Sequence, residues 1–260
     1  MRISPLVAAL AALLLASCHS VSFRPVPQDG TDLWLAGAAP LGEIAAGVAC
    51  RIDASLPREG YHIYDAEGQR HIDAGSEAGL RYGIYALQRA ETLGEAGPGM
   101  DVAEQPFYDL RILNHWDNLD DSVERGYAGP SMWEWTSPEI PSERIRRYGE
   151  LCASVGLNGA VLNNVNASPR MLTRPYIEKV RQIADLLRPW GIRVYLSVNF
   201  GTPKALGETR TADPLDPQVR RWWRNKAKEI YGLIPDFGGF LVKANSEGQP
   251  GPFDYGRTHA

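Results

Sequence analysis

Four apolar segments in the second part of the chain alternate with helical patterns, and each begins apolar and ends polar. The predicted strands are Leu110–Trp116, Gly159–Val165, Ile192–Phe200 and Gly239–Asn245. Between them, apolar positions at helical spacing predict helices at about Pro141–Val155, Leu172–Pro189 and Pro217–Leu233. This alternation predicts an α/β fold whose sheet is parallel, with right-handed crossovers.

Polar side chains collect at the carboxyl ends of these strands. They are Asn114–Asn118 at the first strand, Asn163–Asn166 at the second, Ser197 and Asn199 in the third, and Lys243, Asn245 and Glu247 at the fourth. In a (β/α) barrel this end carries the active site, whereas an open doubly wound sheet binds its ligand only at the switch point. Four polar ends in four strands favour the barrel.

A shorter mixed pattern, from residue 22 to about residue 106, predicts a small α/β domain. Gly79 begins a predicted helix, in which apolar positions 80, 84 and 87 fall on one face. Gly94–Gly99 is interpreted as the linker to the second domain. Predicted strands, each bounded by Gly, Pro or Asp, lie at Asp32–Leu35, Tyr61–Tyr64 and Arg70–Ala74.

The first residues have the pattern of an export signal. Arg2 precedes an apolar run from Leu6 to Ala16 that is too short to span a bilayer, and small residues follow it. The sequence Leu15-Ala16-Ser17-Cys18 resembles the bacterial lipobox, in which cleavage leaves a lipid-bearing cysteine at the new N-terminus. We therefore expect residues 1–17 to be a lipoprotein signal peptide and Cys18 to anchor an exported protein to a bacterial membrane. A plain signal peptide is the alternative.

Composition narrows the classes of function. The chain has 260 residues, 44% of them hydrophobic, which is enough for a sizeable core. Its net charge is −4 and its charges are spread along the chain, so a nucleic-acid partner is not expected. Phosphate-loop, dinucleotide, zinc and serine-hydrolase motifs do not occur, so no cofactor or metal is expected. Cys50 and Cys152 are interpreted as two buried thiols because they fall in different predicted domains, and a bridge between them in an oxidising compartment is the alternative.

Long motifs at the polar strand ends resemble the α-glucuronidases of glycoside hydrolase family sixty-seven. They are Arg111–Asp120, Glu124–Gly129, Val198–Pro203 and Val242–Pro252, and the likeness runs from about Asp29 to the last residue. The resemblance implies a bacterial enzyme of xylan degradation with an N-terminal α/β domain, a central (β/α)8 TIM barrel and a C-terminal helical domain. Such enzymes remove (4-O-methyl-)glucuronic acid from xylan-derived oligosaccharides with inversion.

The resemblance also implies roles for single residues. Glu247 matches the general acid, Lys243 a cation that meets the uronic acid carboxylate, and Trp116 a sugar-stacking residue. Looser candidates for hydroxyl contacts, for which orienting the loops is the alternative role, are His115, Asp117, Asn118, Glu124, Arg125, Asn164 and Asn199. An ammonium beside Glu247 would lower a pKa that a general acid needs raised, and a substrate carboxylate that neutralises Lys243 would remove this conflict.

Length is the departure from the family. A complete barrel takes about 250 residues, so residues 18–106 are expected to form the N-terminal domain and residues 107–260 the first four β/α units of a truncated barrel. The base carboxylate that inversion requires is expected beyond Ala260, in which case the chain is a fragment or the product of a truncated gene. The alternative function is an inactive half-barrel that binds acidic sugars. Expected partners are glucuronoxylan oligosaccharides and a membrane, and the sequence leaves a homodimer open.

Overall fold

A computed structural model of the protein describes residues 21–26, 47–166 and 168–258. The signal peptide, Cys18 and the predicted strand Asp32–Leu35 lie outside the described residues. The chain divides into two compact units, with the boundary between Phe107 and Tyr108. No helix in the described ranges is long and apolar enough to cross a membrane.

In its described residues, the first unit is a mixed sheet with one helix. Its elements are β1 (Arg24–Val26), β2 (Val48–Ile52), β3 (Tyr61–Ala66), β4 (Gln69–Ala74), α1 (Glu77–Leu93) and β5 (Asp101–Pro106). The strand order is β1-β5-β3-β4-β2, with β3 antiparallel to both of its neighbours. Alternate residues of β3 and β4 face the helix, and they form a small apolar core that includes Tyr61, Ile63, Ile72 and Leu87.

Three sequence predictions for this unit are wrong. The helix begins at Glu77 rather than Gly79, because Ser76 caps it by accepting a hydrogen bond from the Gly79 N–H. Gly94–Gly99 is not an interdomain linker, since it connects α1 to β5 within one unit. Cys50 is exposed because β2 is an edge strand of the sheet, whereas Cys152 is buried as predicted.

The second unit contains the predicted parallel sheet. Its elements are β6 (Ile112–Asn114), α2 (Ser142–Ser154), β7 (Gly159–Val161), α3 (Arg174–Leu187), β8 (Arg193–Asn199), α4 (Thr202–Ala205), α5 (Pro217–Leu233) and β9 (Gly239–Lys243), with short 3-10 turns at Pro169–Leu172, Arg188–Trp190 and Pro252–Tyr255. All neighbouring strands are parallel, in the order β6-β7-β8-β9. The prediction of α/β class is confirmed.

The helices of this unit cover one face of the sheet. Alternation along β8 directs Val194, Leu196 and Val198 into a large core shared with helix residues such as Ile183 and Ile230. The intervening positions, including Ser197 and Asn199, therefore belong to the opposite face. Helix α5 has the predicted bounds because Asp216 caps the N–H groups of Gln218 and Val219 and Pro217 is the first helical residue.

The first two strands are shorter than predicted. Each contains only three residues, because the chain leaves the ladder near the point where its polar residues begin. Those polar segments pair with one another: the Asn164 N–H donates to the Asp117 carbonyl at 2.8 Å, and the Phe200 N–H donates to the Lys243 carbonyl at 3.0 Å. The polar strand ends thus form a connected layer of loops at one edge of the sheet.

Candidate active site

This layer of loops contains an ion pair between Lys243 and Glu247. Lys243 ends β9, and its Nζ donates a hydrogen bond of 2.7 Å to Glu247 Oε2. The Lys243 side chain is only 13% exposed, whereas that of Glu247 is 50% exposed. The Lys243 ammonium is therefore largely buried, and the more exposed Glu247 carboxylate covers it. A carboxylate of a ligand could take the place of Glu247 on Lys243.

Two further side chains reach Glu247 from neighbouring loops. Arg125 Nη2 lies 3.7 Å from Glu247 Oε1, and the polar side chain of Asn166 lies close enough to the carboxylate to affect its pKa. The hydrogen bond and charge of Lys243 hold the pKa of Glu247 below its usual value, and Asn166 and Arg125 lower it further against the opposing effect of partial burial. Without a ligand, Glu247 is a carboxylate and not a proton donor at neutral pH.

The Asp117 side chain is buried and contacts protein groups through both of its carboxylate oxygens. Its Oδ1 accepts hydrogen bonds from Ser131 Oγ at 2.6 Å and from the Met132 N–H at 2.8 Å, while its Oδ2 lies 3.6 Å from His115 Nδ1. Burial raises the pKa of this carboxyl, but the nearby His115 and the hydrogen bonds from Ser131 and Met132 outweigh burial and lower it. Asp117 therefore fixes the loop after β6, in the alternative role considered for it.

His115 is held between two partners. Its Nε2 lies 2.8 Å from the Tyr148 hydroxyl, and its ring makes edge contacts with Tyr148 and the buried Trp133. Because both ring nitrogens face protein groups, the position of His115 is defined by the fold. Its role in this arrangement is to join the loop after β6 to helix α2.

Asn118 and Asn164 converge on one backbone carbonyl. Their Nδ2 atoms donate to the Glu124 carbonyl at 2.9 and 3.4 Å, and Asn164 also donates to the Trp116 carbonyl at 3.3 Å. These bonds hold Glu124 at a φ of 58°, in the left-handed region. They thereby place the next residue, Arg125, in front of Glu247.

Trp116 and Asn199 differ in their exposure to solvent. Trp116 is 37% exposed, so part of its ring is open to solvent. Asn199 is buried, its Nδ2 donates to Gln249 Oε1, and its Oδ1 accepts from the Gly201 N–H at 2.8 Å. Part of the Trp116 ring is therefore open to a ligand, whereas both ends of the Asn199 amide are used inside the protein.

The structure thus separates the predicted site residues into two groups. Lys243, Glu247 and Arg125 converge through their side chains, and Trp116 presents an exposed ring. The other candidates hold the surrounding loops, namely His115, Asp117, Asn118, Glu124, Asn164 and Asn199.

Sequence reasoning assigned no role to three residues that belong to the network. Asn166 stands among the polar residues after β7, so the strand-end pattern could have identified it. Gln249 and Tyr148 gave no such signal, because each matters only through a partner from another strand or helix. Within the part of the chain that the structure describes, no cluster of three or more His, Cys, Asp or Glu side chains could hold a metal ion.

Comparisons with known proteins point to one family. The family profile described as glycosyl hydrolase family 67 middle domain matches residues 91–260. The chain is 44% identical over 214 residues to an alpha-glucuronidase of Hypocrea jecorina, covering 79% of this chain and 25% of that protein. It is 40% identical over 215 residues to a probable alpha-glucuronidase A of Aspergillus terreus, covering 81% of this chain and 25% of that protein. The chain thus spans about a quarter of the length of these curated relatives.

Among solved structures, a "GH138 enzyme targeting pectin rhamnogalacturonan II" is similar in fold. The TM-score is 0.51 at 15% sequence identity, and the match covers 75% of this chain and 25% of that chain. At this identity the likeness concerns the fold alone. Both curated relatives named above are fungal, so the bacterial origin stays a prediction.

Proposed function

Because the chain belongs to glycosyl hydrolase family 67, we propose that it carries the glucuronic-acid site of an α-glucuronidase. The observation that carries this proposal is the Lys243–Glu247 pair, in which a largely buried ammonium is covered by a half-exposed carboxylate. A uronic acid brings a carboxylate of its own, which can take the place of Glu247 on Lys243. A charge-assisted hydrogen bond of this kind is stronger than a neutral one.

Neighbouring side chains suit the rest of an acidic sugar. The Arg125 side chain is 74% exposed and lies at the edge of the pair, where it adds positive charge that attracts an anion. The exposed part of Trp116 offers an apolar surface to a sugar ring. The substrates in this proposal are (4-O-methyl-)glucuronic acid units on oligosaccharides derived from glucuronoxylan.

Glu247 is the proposed general acid of the reaction. When the substrate carboxylate pairs with Lys243, Glu247 loses the hydrogen bond and charge that lower its pKa, so the pKa rises and Glu247 can take up a proton from solvent, which it then donates to the departing sugar oxygen. Inversion requires a second carboxylate as base.

Architecture supports the same proposal. Four parallel strands, each followed by polar residues at its carboxyl end, have the arrangement of consecutive units in a (β/α)8 barrel, where active sites lie at this edge. We propose that residues 107–260 are four such units. The N-terminal pattern supports export, and Cys18 is the proposed site of a lipid anchor facing the periplasm or the cell surface.

A second candidate function is binding of acidic sugars without hydrolysis. The lowered pKa of Glu247 favours it, because a site whose acid is already ionised can bind a uronic acid without protonating anything. Incubation of the chain with aldouronic acids separates the two functions. Release of glucuronic acid supports hydrolysis by this chain, and binding without release supports the second candidate.

Binding itself is tested with glucuronate and glucose, which differ by the carboxylate. Isothermal titration of the 260-residue chain should show a clear preference for glucuronate, and Lys243→Ala should abolish that preference. The matched control is Lys226→Ala, since Lys226 is 14% exposed and pairs with Glu229 at 2.8 Å on α5, outside the site. Equal loss in both variants, or no preference in the unmodified chain, would contradict the proposed site.

A further inference from the structure

The loop that carries Glu247 is closed at its base by two side chains. Asn245 Nδ2 donates to Asp254 Oδ2 at 3.0 Å, and the same oxygen accepts the Gly251 N–H at 2.7 Å. In return, the Phe253 N–H donates to Asn245 Oδ1 at 3.3 Å. Residues 245–254 therefore form a ring of chain whose ends are joined by hydrogen bonds, and we refer to the Asn245–Asp254 pair as the clamp.

Close packing at Gly251 tightens the clamp. A Cβ at Gly251 would overlap Asn245 Oδ1 and lie 2.6 Å from the Asn245 backbone nitrogen. The φ of Gly251 is −153°, which any residue adopts, so the glycine is needed for space and not for conformation. The side chain of Asn245 can reach Asp254 only because no side chain stands at residue 251.

The tip of the loop needs this support. Glu247 has a φ of 50°, in the left-handed region that is unfavourable for a residue with a long side chain, and Gly248 follows at 76°. One backbone hydrogen bond, from the Gln249 N–H to the Ser246 carbonyl at 2.9 Å, closes the turn. A strained conformation persists where its surroundings fix it, and the clamp supplies that restraint.

The clamp is in turn fixed to the body of the second unit. Its Asp254 belongs to the turn Pro252–Tyr255, whose Tyr255 hydroxyl accepts the Ala212 N–H at 3.3 Å. Just beyond that turn, Arg257 Nη2 lies 3.0 Å from Asp213 Oδ2. A continuous path of contacts therefore runs from the segment before α5 to Glu247.

By contrast, two of the three side chains that approach Glu247 are long and flexible, namely Lys243 on β9 and Arg125 after β6. The third, Asn166 after β7, is short, and Asp254 is the charged group at the base of the loop. Flexible side chains of this kind follow a displaced partner and do not fix the loop that carries it. Small displacements of a catalytic group cost large factors in rate.

We propose that Asn245 and Asp254 are positioning residues, which hold Glu247 at Lys243 and Arg125 by clamping the base of its loop. The catalytic consequence of this inference rests on the proposed role of Glu247 as general acid. The geometric part does not, because it concerns only where the carboxylate is held. A readout that needs neither sugar nor hydrolysis therefore tests it.

The experiment is a pH titration of the Glu247 carboxyl carbon by NMR in selectively labelled protein. Lys243→Ala is the reference variant: it removes the main partner of Glu247, so it gives the full rise in the Glu247 pKa that loss of this partner causes. Asp254→Ala should raise this pKa by at least about half of that reference shift, because the released loop carries Glu247 away from Lys243. Loss of the Asp254 charge alone would lower the Glu247 pKa, so the sign of the change separates positioning from a direct charge effect.

Three more variants complete the design. Asn245 has a φ of 50°, in the left-handed region that glycine also adopts. Asn245→Gly therefore removes the other half of the clamp without changing the backbone or any charge, and it should also raise the Glu247 pKa. Asp254→Asn keeps an acceptor oxygen for the Gly251 N–H and should shift the pKa less than Asp254→Ala. The control is Asp53→Ala in the first unit, where Asp53 Oδ1 accepts from the Ser55 N–H and hydroxyl at 3.0 and 2.6 Å.

The control should leave the Glu247 pKa unchanged. An unchanged or lowered Glu247 pKa in both Asn245→Gly and Asp254→Ala would overturn the proposal. If Asp254→Ala does not fold, Asn245→Gly decides the question alone. A raised Glu247 pKa in these variants, together with no binding of glucuronate, would support the clamp and contradict the proposed function. The experiment therefore distinguishes failure of the clamp proposal from failure of the proposed function.

Discussion

Lys243 and Glu247 form a 2.7 Å ion pair although the chain between them is a loop and not a helix. The residue proposed to bind the substrate carboxylate is thus neutralised, in the free protein, by the residue proposed to donate the proton. In the proposed function, substrate and general acid compete for one ammonium. Binding would then remove the cause of the lowered Glu247 pKa, which is the condition for Glu247 to take up a proton and act as the acid.

Glu247→Gln should separate binding from catalysis. The variant removes the carboxylate that competes for Lys243, so glucuronate should bind roughly two- to fivefold more tightly, as the weak energies of exposed ion pairs imply. Hydrolysis of aldouronic acids, in any form of the enzyme that performs it, should fall by about 10²–10⁴ because the proton donor is lost. Titration calorimetry and rate measurements check the two effects.

The control for this variant is Glu229→Gln, which alters the matched Lys226 pair on α5. It should change neither binding nor rate. Weaker glucuronate binding in Glu247→Gln would mean that Glu247 supports the site and does not compete with the ligand. An equal loss of rate on an aryl glucuronide, whose leaving group departs without protonation, would argue against the acid role.

Asp117→Ala should destabilise the fold. The variant leaves the Ser131 hydroxyl and the Met132 N–H without their buried acceptor, at a cost of about 1–3 kcal/mol. Because the pKa of Asp117 is lowered in the folded state, its ionisation stabilises the fold above the unfolded-state pKa, about 3.9. This contribution is lost as the pH falls through the lower, folded-state pKa.

Urea unfolding at several pH values checks this expectation. The difference in unfolding free energy between the unmodified protein and Asp117→Ala should be largest near neutral pH and should shrink in acid. A difference that grows as the pH falls would contradict the assignment, since it would mean that Asp117 is stabilising in its protonated form.

Gly238→Ala should destabilise the second unit because of a steric clash. A Cβ at Gly238 would lie 2.6 Å from Tyr195 Cε1 on the neighbouring strand, and overpacking of this kind costs about 1–3 kcal/mol. Gly232→Ala is the matched control, since nothing lies within 4 Å of its Cβ position on α5. Alanine in that helix should stabilise by about 0.5–1 kcal/mol. Thermal melting of both variants should therefore give shifts of opposite sign.

Cys18→Ser should release the protein from membranes if Cys18 bears a lipid. Fractionation of cells expressing the unmodified chain should place it with membranes, although one acyl chain alone binds only marginally. Cys50→Ser is a suitable control because Cys50 is an exposed cysteine in the first unit. Membrane retention of the Cys18→Ser protein would reject the lipobox and leave a plain signal peptide.

Sequence patterns predicted the helices and strands in which buried positions recur at a regular spacing. They missed strands that form only by pairing with segments far away in the sequence. Helix α5 and the four parallel strands follow from apolar spacing and from the cap at Asp216, because both are local signals. Strand β5, by contrast, reads Asp101-Val102-Ala103-Glu104-Gln105-Pro106 and has few residues that favour strands. It forms because β3 and β1 pair with it on both sides.

Site residues divide in the same way. The strand-end pattern and the family resemblance identified Lys243 and Glu247, and the structure brings their side chains together. Neither pattern nor resemblance identified the contact between His115 and Tyr148. Such a contact depends on how a helix packs against a loop, and the sequence near either residue does not indicate that packing.

The central claim is that a substrate carboxylate replaces Glu247 on Lys243, and the pKa of Glu247 in the presence of sugar tests it most directly. In an NMR titration of the unmodified chain, saturating glucuronate should raise this pKa, whereas glucose should not. By linkage, glucuronate should then bind more tightly as the pH falls through the Glu247 pKa. In Lys243→Ala the pKa should already be raised and should not respond to glucuronate. An unchanged or lowered Glu247 pKa at saturating glucuronate would contradict the account.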